Sequence, residues 1–275
     1  MKLLFLALTA AGSIASPAFS QAVTPSYTGA YVGGRIGFAI DHDRNSATVL
    51  FDKNLDGQFG DTVTTASGAN AFSPGFCPGR PNSNMAVSLC RKDKGGIDYA
   101  INAGYDLDLG GVVIGGLVEY GRADIEDNVT AFSTTPASYT LTRNMKGTFG
   151  ARARIGYNAG GVLSYLTAGV VRAKVRSSFS TSNTVNAFAT QDASNSNWGY
   201  RVGGGVEKRL GNIAIGAQYL YTSVKDKDFR VNVTRGTAGV TNPFILTNAN
   251  GTQFRRSDDR FSNHSLAMTA NYRFQ

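Results

Sequence analysis

Oxygen-bearing side chains recur at short intervals in the segment DKNLDGQFGD, which spans Asp52–Asp61. Oxygen ligands at alternate positions, followed by a glycine that permits a sharp turn, resemble the start of a Ca²⁺-binding loop. An EF-hand loop needs a bidentate acid at its twelfth position, which Val63 occupies here. The segment therefore predicts either a Ca²⁺ site or a solvated turn rich in Asp and Gly. The candidate metal ligands are Asp52, Asn54, Asp56 and Asp61.

The two cysteines, Cys77 and Cys90, lie close together in a loop-like region. In an exported protein the default is a disulfide that closes the local loop. The alternative, two free thiols in a redox or metal site, has no third or fourth ligand nearby. A disulfide between Cys77 and Cys90 is therefore predicted.

The chain contains two histidines, His42 and His264, and Ser265 follows the second of them. Histidine and serine are the base and nucleophile of many hydrolases. Neighbouring residues of a strand point to opposite faces of the sheet, so His264 and Ser265 cannot simply form such a pair. We therefore predict that the protein is not an enzyme. Haem capture by exposed histidines stays open, although these two form no recognisable site.

The elements that would position these residues are strands. Apolar residues alternate with small or polar ones from Ile97 to Leu107, and a second alternating run extends from Val112 to Tyr120. Strict period two predicts strands whose two faces meet different surroundings. The short joint at Asp108–Gly111 makes the pair an antiparallel hairpin. Runs of about 10 residues suit strands that cross an outer membrane.

A soluble sandwich could contain one such hairpin, but the pattern recurs along the chain and gives eight strands in all. An even number of antiparallel strands, joined alternately by very short and by long polar connections, matches the smallest bacterial outer-membrane barrels. The predicted fold is all-β: an eight-stranded antiparallel transmembrane β-barrel with short periplasmic turns and long extracellular loops. The short turns lie at 108–111, 158–161 and 211–212, and the long loops at about 41–95, 126–144, 177–197 and 223–260.

Charged side chains in the middle of these strands share the inward phase. An Arg that faces lipid at mid-depth would cost about 2–4 kcal/mol, so charges belong on the enclosed face. Side chains fill the interior of an eight-stranded barrel, which predicts an ion-paired lumen without a wide pore. The predicted lumen charges are Arg35, Asp98, Glu119, Lys146, Arg152, Arg154, Arg201, Glu207 and Arg209.

The phases of strands four and five are assigned from their apolar residues. In strand four, Met145 is placed outward and Lys146 inward. In strand five the outward set is Leu163, Tyr165, Thr167, Val171 and Val175, opposite Ser164, Ala168, Arg172, Lys174 and Arg176.

Outward aromatic residues near strand ends predict girdles at the membrane interfaces. These are Tyr105, Tyr120, Tyr157, Tyr165, Trp198, Tyr219 and Tyr272.

The last long loop contains two patterned segments. Phe229–Thr234 alternates, which predicts an extension of a barrel strand above the membrane. Arg255–Arg260 is a charge cluster predicted to lie at the level of the lipid headgroups. It would either pair with lipopolysaccharide phosphates or remain solvated.

Residues 1–22 read MKLLFLALTAAGSIASPAFSQA, with one charge at Lys2, an apolar core and a small-residue cleavage site. These features predict a secretory signal peptide, and residues 23–275 then suit a single barrel domain. No later stretch is apolar for long enough to form a spanning helix.

The formal net charge of +8 would suit binding to nucleic acid, but an exported chain has no access to nucleic acid. Anionic lipopolysaccharide or an anionic solute is the expected partner.

Strand segments throughout the chain share their pattern with a known family. They are Gly29–Phe38 (GAYVGGRIGF), Asp98–Asp106 (DYAINAGYD), Thr148–Tyr157 (TFGARARIGY), Gly203–Glu207 (GGGVE), Gln218–Tyr221 (QYLY) and Asn271–Phe274 (NYRF). Over nearly the whole mature chain they resemble the opacity-protein-like outer-membrane β-barrel ("porin family") proteins of alphaproteobacteria. The resemblance implies the fold and an outer-membrane location, and it includes no catalytic motif. Such proteins commonly end on an aromatic residue read by the barrel-insertion machinery, an expected partner, whereas here Gln275 follows Phe274.

The expected function is a structural role in envelope integrity or a role in surface interaction. A small-solute porin is the alternative, and a haem- or host-binding surface receptor is the third hypothesis. The expected partners are outer-membrane lipids, lipopolysaccharide and a surface ligand bound by the loops, without nucleic acid. No cofactor is expected apart from Ca²⁺ in the first long loop.

Overall fold

The computed structural model describes residues 25–41, 47–226 and 229–274. The predicted signal peptide, His42 and Gln275 lie outside these ranges. The strands of the described chain are β1 (Gly29–Asp41), β2 (Val49–Asp52), β3 (Gly75–Pro78), β4 (Arg80–Pro81), β5 (Cys90–Arg91), β6 (Gly96–Leu109), β7 (Val112–Ala123), β8 (Glu126–Ser133), β9 (Ala137–Ala159), β10 (Val162–Thr181), β11 (Ala187–Gln191), β12 (Ser194–Leu210), β13 (Ile213–Lys225), β14 (Arg230–Thr234), β15 (Thr252–Arg256) and β16 (Arg260–Arg273). A short helix, α1, spans Pro243–Leu246, and a 3-10 turn spans Ala86–Ser88. Among the described residues, no helix has the length and hydropathy needed to cross a membrane.

Eight strands form a closed antiparallel ring in the order β1-β6-β7-β9-β10-β12-β13-β16, and β16 pairs back with β1. Tyr31 pairs with Arg273, which sets the register of the closing pair. A closed ring has no free sheet edge, so each strand has a hydrogen-bonded neighbour on both sides. The predicted eight-stranded barrel is confirmed.

Large apolar side chains cover the outer wall of the ring. Ile36 is 62% exposed, Ile101 69% and Leu166 69%. Water would make a continuous apolar belt of this kind unfavourable, whereas hydrocarbon surroundings suit it. Of the predicted girdle residues, six are exposed on this wall: Tyr105, Tyr120, Tyr157, Trp198, Tyr219 and Tyr272.

Three two-residue turns join ring strands at one end of the barrel, here called the turn end. Gly110 and Gly111 adopt φ values of 75° and 105°, which residues with a Cβ atom rarely adopt. The first residues of β1 and the last residues of β16 lie at the same end, because these two strands are antiparallel neighbours. The predicted short turns are confirmed.

At the other end the four long connections, here called the cap, fold into regular structure. β8 and β3 extend the ring sheet beside β9, and β11, β14, β15 and β2 form a separate four-stranded sheet. Residues from several connections bury one hydrophobic core, which includes Phe51, Phe72, Leu141, Phe244 and Phe254. The cap is therefore a packed unit rather than a set of polar loops.

The predicted strand extension at Phe229–Thr234 is wrong. Arg230–Thr234 forms β14, which pairs with β11 and β15 in the cap sheet instead of continuing β13. Val231 and Val233 are 0% and 1% exposed. The alternating apolar residues of this segment therefore face the cap core, which explains the strand pattern.

The predicted phase of strand five is also wrong. In β10, Leu163, Tyr165 and Val175 are buried inside the ring, while Leu166 and Val170 face outward. Both alternating sets of β10 contain apolar residues, so periodicity alone does not fix the phase. Packing of the inner set against other buried residues decides it. Tyr165 therefore leaves the girdle, and the exposed outward set includes Arg172, Lys174 and Arg176.

A β-bulge changes the phase of β9. The register between β9 and β10 shifts between Lys174 and Val175, and Lys146 has no pairing partner in this ladder. A bulge inserts one residue into the alternation. Met145, predicted to face outward, is consequently 1% exposed and packs in a cluster with Phe261. Lys146, predicted to lie in the lumen, is partly exposed at the cap end.

Candidate functional site

The middle of the barrel interior holds a layer of charges centred on Glu119. Its carboxylate contacts Arg152 at 2.9 Å, Arg35 at 3.5 Å and also Arg201. Arg35 also pairs with Asp98, which accepts a hydrogen bond from Ser265. Each of these charged side chains is 4% exposed or less as a residue. The layer therefore joins strands on several sides of the ring through buried, charge-assisted hydrogen bonds.

A second charged layer lies nearer the turn end. Asp106 pairs with Arg154 and, at 2.6 Å, with Arg273. Arg154 also reaches Glu207 at 3.2 Å. The ring of Tyr31 lies 4.7 Å from the Arg154 guanidinium, a distance at which the aromatic face attracts a cation. Opposite charges in each layer compensate one another, which reduces the cost of burying them.

Apolar clusters close the interior on both sides of these layers. At the turn end Tyr27 packs with Leu163 and Tyr165, and its hydroxyl lies 3.2 Å from the Gly161 carbonyl. At the cap end Met145, Val175 and other residues form a second cluster. Side chains thus fill the barrel interior at several levels.

Eight of the nine residues predicted as lumen charges are buried in the ring; Lys146 is the ninth. Arg209 differs from the rest because it lies at the turn end, where its Nε donates to the Gly211 carbonyl at 2.8 Å. Strand phase placed these residues correctly because their strands are long and regular. The buried charges are Arg35, Asp98, Glu119, Arg152, Arg154, Arg201, Glu207 and Arg209.

A further ion network, which the sequence did not indicate, connects the barrel to the cap. Arg143 is 0% exposed and contacts Asp127 at 2.6 Å, Asp226 at 3.5 Å and also Asp258. Arg256 reaches Asp127 at 2.8 Å. The predicted headgroup position of the Arg255–Arg260 cluster is therefore wrong for Asp258, which turns inward to the buried Arg143. It is also wrong for Arg256, which turns inward to Asp127 and Asp258, because buried charges need partners of opposite sign.

Opposing effects shift the titration of this network. Burial would lower the pKa of Arg143, but the carboxylates of Asp127, Asp258 and Asp226 raise it above its ordinary value. Burial would raise the pKa of Asp258, but Arg143 and Arg256 outweigh it and lower that pKa. For Asp226, burial prevails and raises the pKa. The two acids therefore contribute to stability with opposite signs.

The candidate calcium ligands form a turn whose oxygens mainly accept hydrogen bonds from the chain itself. Asp52 accepts from the Gly57 amide at 2.8 Å, Asp56 from the Gln58 amide at 2.8 Å, and Asp61 from the Lys53 amide at 2.9 Å. Asn54 donates to Asp56 at 2.9 Å. Among the described residues, no group of three or more His, Cys, Asp or Glu side chains is arranged to hold a metal ion. Calcium binding stays a prediction.

The structure joins Cys77 on β3 to Cys90 on β5 in a disulfide, with the two Cα atoms 6.1 Å apart. The pair encloses β4, which also pairs with β5. The disulfide thus closes the segment of the first connection that lies beside β8.

His264 and Ser265 face opposite sides of the barrel wall. Ser265 hydrogen-bonds Asp98 in the interior, while the His264 ring stacks 5.8 Å from the Tyr219 ring on the outer wall. The sheet therefore separates the two side chains.

A pocket of about 230 Å³ opens on the cap. Phe72, Tyr139 and Phe244 contribute its apolar lining, and polar residues such as Asn183 and Asn242 lie at its edge. Asn183 donates to the Tyr139 hydroxyl at 2.9 Å, so the polar edge is held in place. Apolar walls with a few fixed polar groups are typical of small-ligand sites.

No protein-family model matches the chain, and no curated protein matches it significantly. Among solved structures, it is similar to the outer membrane protein OprG from Pseudomonas aeruginosa, with 13% identity over 92% of this chain and 100% of that chain and a TM-score of 0.48. Neisserial surface protein A is 14% identical, covering 90% and 98%, with a TM-score of 0.38. The attachment invasion locus protein Ail of Yersinia pestis is 14% identical, covering 90% and 99%, with a TM-score of 0.34. The assignment to an eight-stranded barrel rests on the strand ring itself.

Proposed function

We propose that this chain is an outer-membrane protein whose barrel anchors the cap at the cell surface, with a role in envelope integrity or surface interaction. The observation that carries this proposal is the shared hydrophobic core of the cap. Surface loops usually vary and carry no hydrophobic core of their own, so a core shared by the connections supports a binding or structural role for the cap. The apolar outer wall and the predicted signal peptide support the location.

The filled interior argues against the small-solute porin. Glu119 is held by cations from three other strands, and apolar clusters close the interior on both sides of the charged layers. An aqueous channel would need these side chains to leave their partners, which is costly for buried ion pairs. The barrel is therefore proposed as an anchor that does not conduct.

The cap pocket is the proposed contact for a surface ligand. Its described lining residues include aromatic and amide side chains but no histidine. This composition supports a small apolar or amphipathic ligand rather than haem held by histidine. Lipopolysaccharide and the barrel-insertion machinery are the further proposed partners of the barrel itself.

Reconstitution in planar bilayers tests the proposal, with gel mobility before and after boiling as the check that the barrel has folded. We expect the unboiled protein to migrate differently from the boiled one and to give no steady single-channel current. A control protein of known pore size, inserted in the same bilayer, establishes the sensitivity of the recording. Steady, sizeable currents from folded protein would overturn the anchoring role and support the porin.

A further inference from the structure

The reversed phase of β10 places three consecutive outward residues, Arg172, Lys174 and Arg176, on the outer wall of the barrel. Outward side chains two residues apart lie on the same face of a strand. The ion pairs on the exterior of the described chain join Arg80 to Glu126 and Arg122 to Asp124, and neither includes these three residues. They form a single-sign row, here called the basic ladder.

The height of the ladder is set by the strand. From Val162 to Arg172, a strand that rises about 3.3 Å per residue at a tilt of about 40° climbs roughly 25 Å, the height of the apolar band of such barrels. Arg172 pairs in register with Phe149 on one side and Trp198 on the other. Exposed aromatic residues mark the membrane interface. The ladder therefore begins where hydrocarbon ends and rises through the headgroup layer.

An apolar groove lies on the outer wall across β1, β6, β7 and β9, and its edge at Phe149 borders the strand that carries the ladder. It has a volume of about 560 Å³ and is lined by residues that include Val32, Ile101, Val118, Tyr120 and Phe149. Phe149 lines this groove and also faces Arg172 across the strand pair. Ala103 also lines the groove, and its side chain is the smallest of the outward residues there. Cations thus lie at the headgroup level, next to an apolar furrow at the level of acyl chains.

We propose that the basic ladder and this groove together bind a phosphorylated, acylated glycolipid of the outer leaflet. Its phosphates contact Arg172, Lys174 and Arg176, and one acyl chain lies in the groove. Arg forms paired hydrogen bonds with phosphate, and Lys adds a point charge. Complementary charge and the order of the two features along the barrel axis select this occupant over a soluble anion. The inference rests on the proposed outer-membrane location but not on the cap ligand.

The test titrates the detergent-folded full chain with lipid A carrying both phosphates and follows binding by native mass spectrometry. We expect the triple variant R172Q/K174Q/R176Q to bind roughly 100-fold more weakly, the effect of three basic residues near an anionic surface. A matched variant, R91Q/K92Q/K94Q, removes three exposed basic residues of the cap and should retain wild-type binding. Gel mobility before and after boiling shows that each variant folds, so failure of the barrel is distinguished from failure of the ladder.

Two further arms separate the sources of phosphate and the role of the groove. Dephosphorylated lipid A should bind as weakly as the triple variant does, and inorganic phosphate should not displace lipid A. A103F, which fills the groove without changing charge, should weaken lipid A binding by about tenfold. Equal losses in both triple variants, or displacement by inorganic phosphate, would overturn the proposal. Unchanged binding in R172Q/K174Q/R176Q would also overturn it.

Discussion

Glu119 on β7 forms an ion pair with Arg201 on β12, a strand three places away around the ring. The pair therefore crosses the barrel interior instead of joining neighbouring strands. Arg152 at 2.9 Å and Arg35 at 3.5 Å complete the set of cations around the same carboxylate. One acidic residue thus compensates charges from three other strands. Loss of the Glu119 charge should therefore strongly reduce the stability of the barrel.

We expect Glu119→Gln to destabilise the barrel by about 3–5 kcal/mol, because it leaves buried cations without a compensating charge. The measurement is the urea midpoint of barrel unfolding in detergent, read from gel mobility. The matched control is Glu126→Gln, whose partner Arg80 is 51% exposed in its side chain. A surface pair should contribute about 0–1 kcal/mol. Equal midpoints for the two variants would contradict the central place of Glu119.

The phase of β10 can be read by cysteine labelling. The two native cysteines are joined, and the described chain has no free cysteine, so an introduced thiol is the only target. Leu166→Cys should react with a membrane-soluble maleimide, because Leu166 is 69% exposed on the outer wall. Tyr165→Cys should stay unlabelled until the barrel is unfolded, since Tyr165 is 6% exposed. The reverse pattern would restore the phase predicted from apolar periodicity.

Removal of the disulfide should loosen the cap without affecting the barrel. Cys77 and Cys90 are separated by 13 residues, and closing a loop of about this length contributes roughly 3 kcal/mol in the chain-entropy model. In Cys77→Ser/Cys90→Ser we expect faster trypsin cleavage after Arg91 and Lys92, which are exposed. The urea midpoint of the barrel serves as the internal control. If the urea midpoint of the barrel also falls in this variant, the cap and the barrel unfold together.

The acids around Arg143 predict opposite responses to neutralisation. The pKa of Asp258 is lowered from 3.8, so its contribution is fully present above that value and is lost as the pH falls through the lower folded pKa. Asp258→Asn should therefore destabilise the cap at neutral pH by about 1–3 kcal/mol, as measured by pulse proteolysis in urea. The loss should vanish at a pH low enough to protonate Asp258 in the folded protein.

Asp226 is the matched comparison because it contacts the same guanidinium. Its pKa is raised, so the folded state disfavours its ionised form at neutral pH, and this cost disappears as the pH falls through the raised value. Asp226→Asn should leave cap stability unchanged or raise it. Losses of equal size for Asp226→Asn and Asp258→Asn would contradict the assigned signs.

Regular strands were predictable because their alternation is long and unambiguous. The run from Ile97 to Leu107 has apolar residues on one face and small or polar residues on the other, so its phase has one solution. The phase of β10 was predicted wrongly because Leu163 and Leu166 lie on opposite faces of the strand and both are apolar. Packing of Leu163 with Tyr27 chooses between the faces, and that contact joins residues far apart in the chain.

The cap was not predictable for the same physical reason. Phe51 and Phe254 lie in different connections, yet their ring centroids are 5.7 Å apart. Single aromatic residues within polar segments carry no periodic signal, and only tertiary contact shows that they share a core. Arg143 on β9 and Asp258 in the last connection are likewise far apart in the chain. The charges of the regular strands were therefore predictable from the sequence, and those at the junction between barrel and cap were not.

Since the four outer connections meet in one core, they cannot diverge independently during evolution. A deletion that removed Phe244 would expose Phe72 from another connection, because their rings lie 5.8 Å apart. Sequence variation would then concentrate at projecting positions such as Val87, which is 82% exposed. Among close homologues we expect the buried aromatic residues of the cap core to be conserved and the exposed residues of the cap to vary.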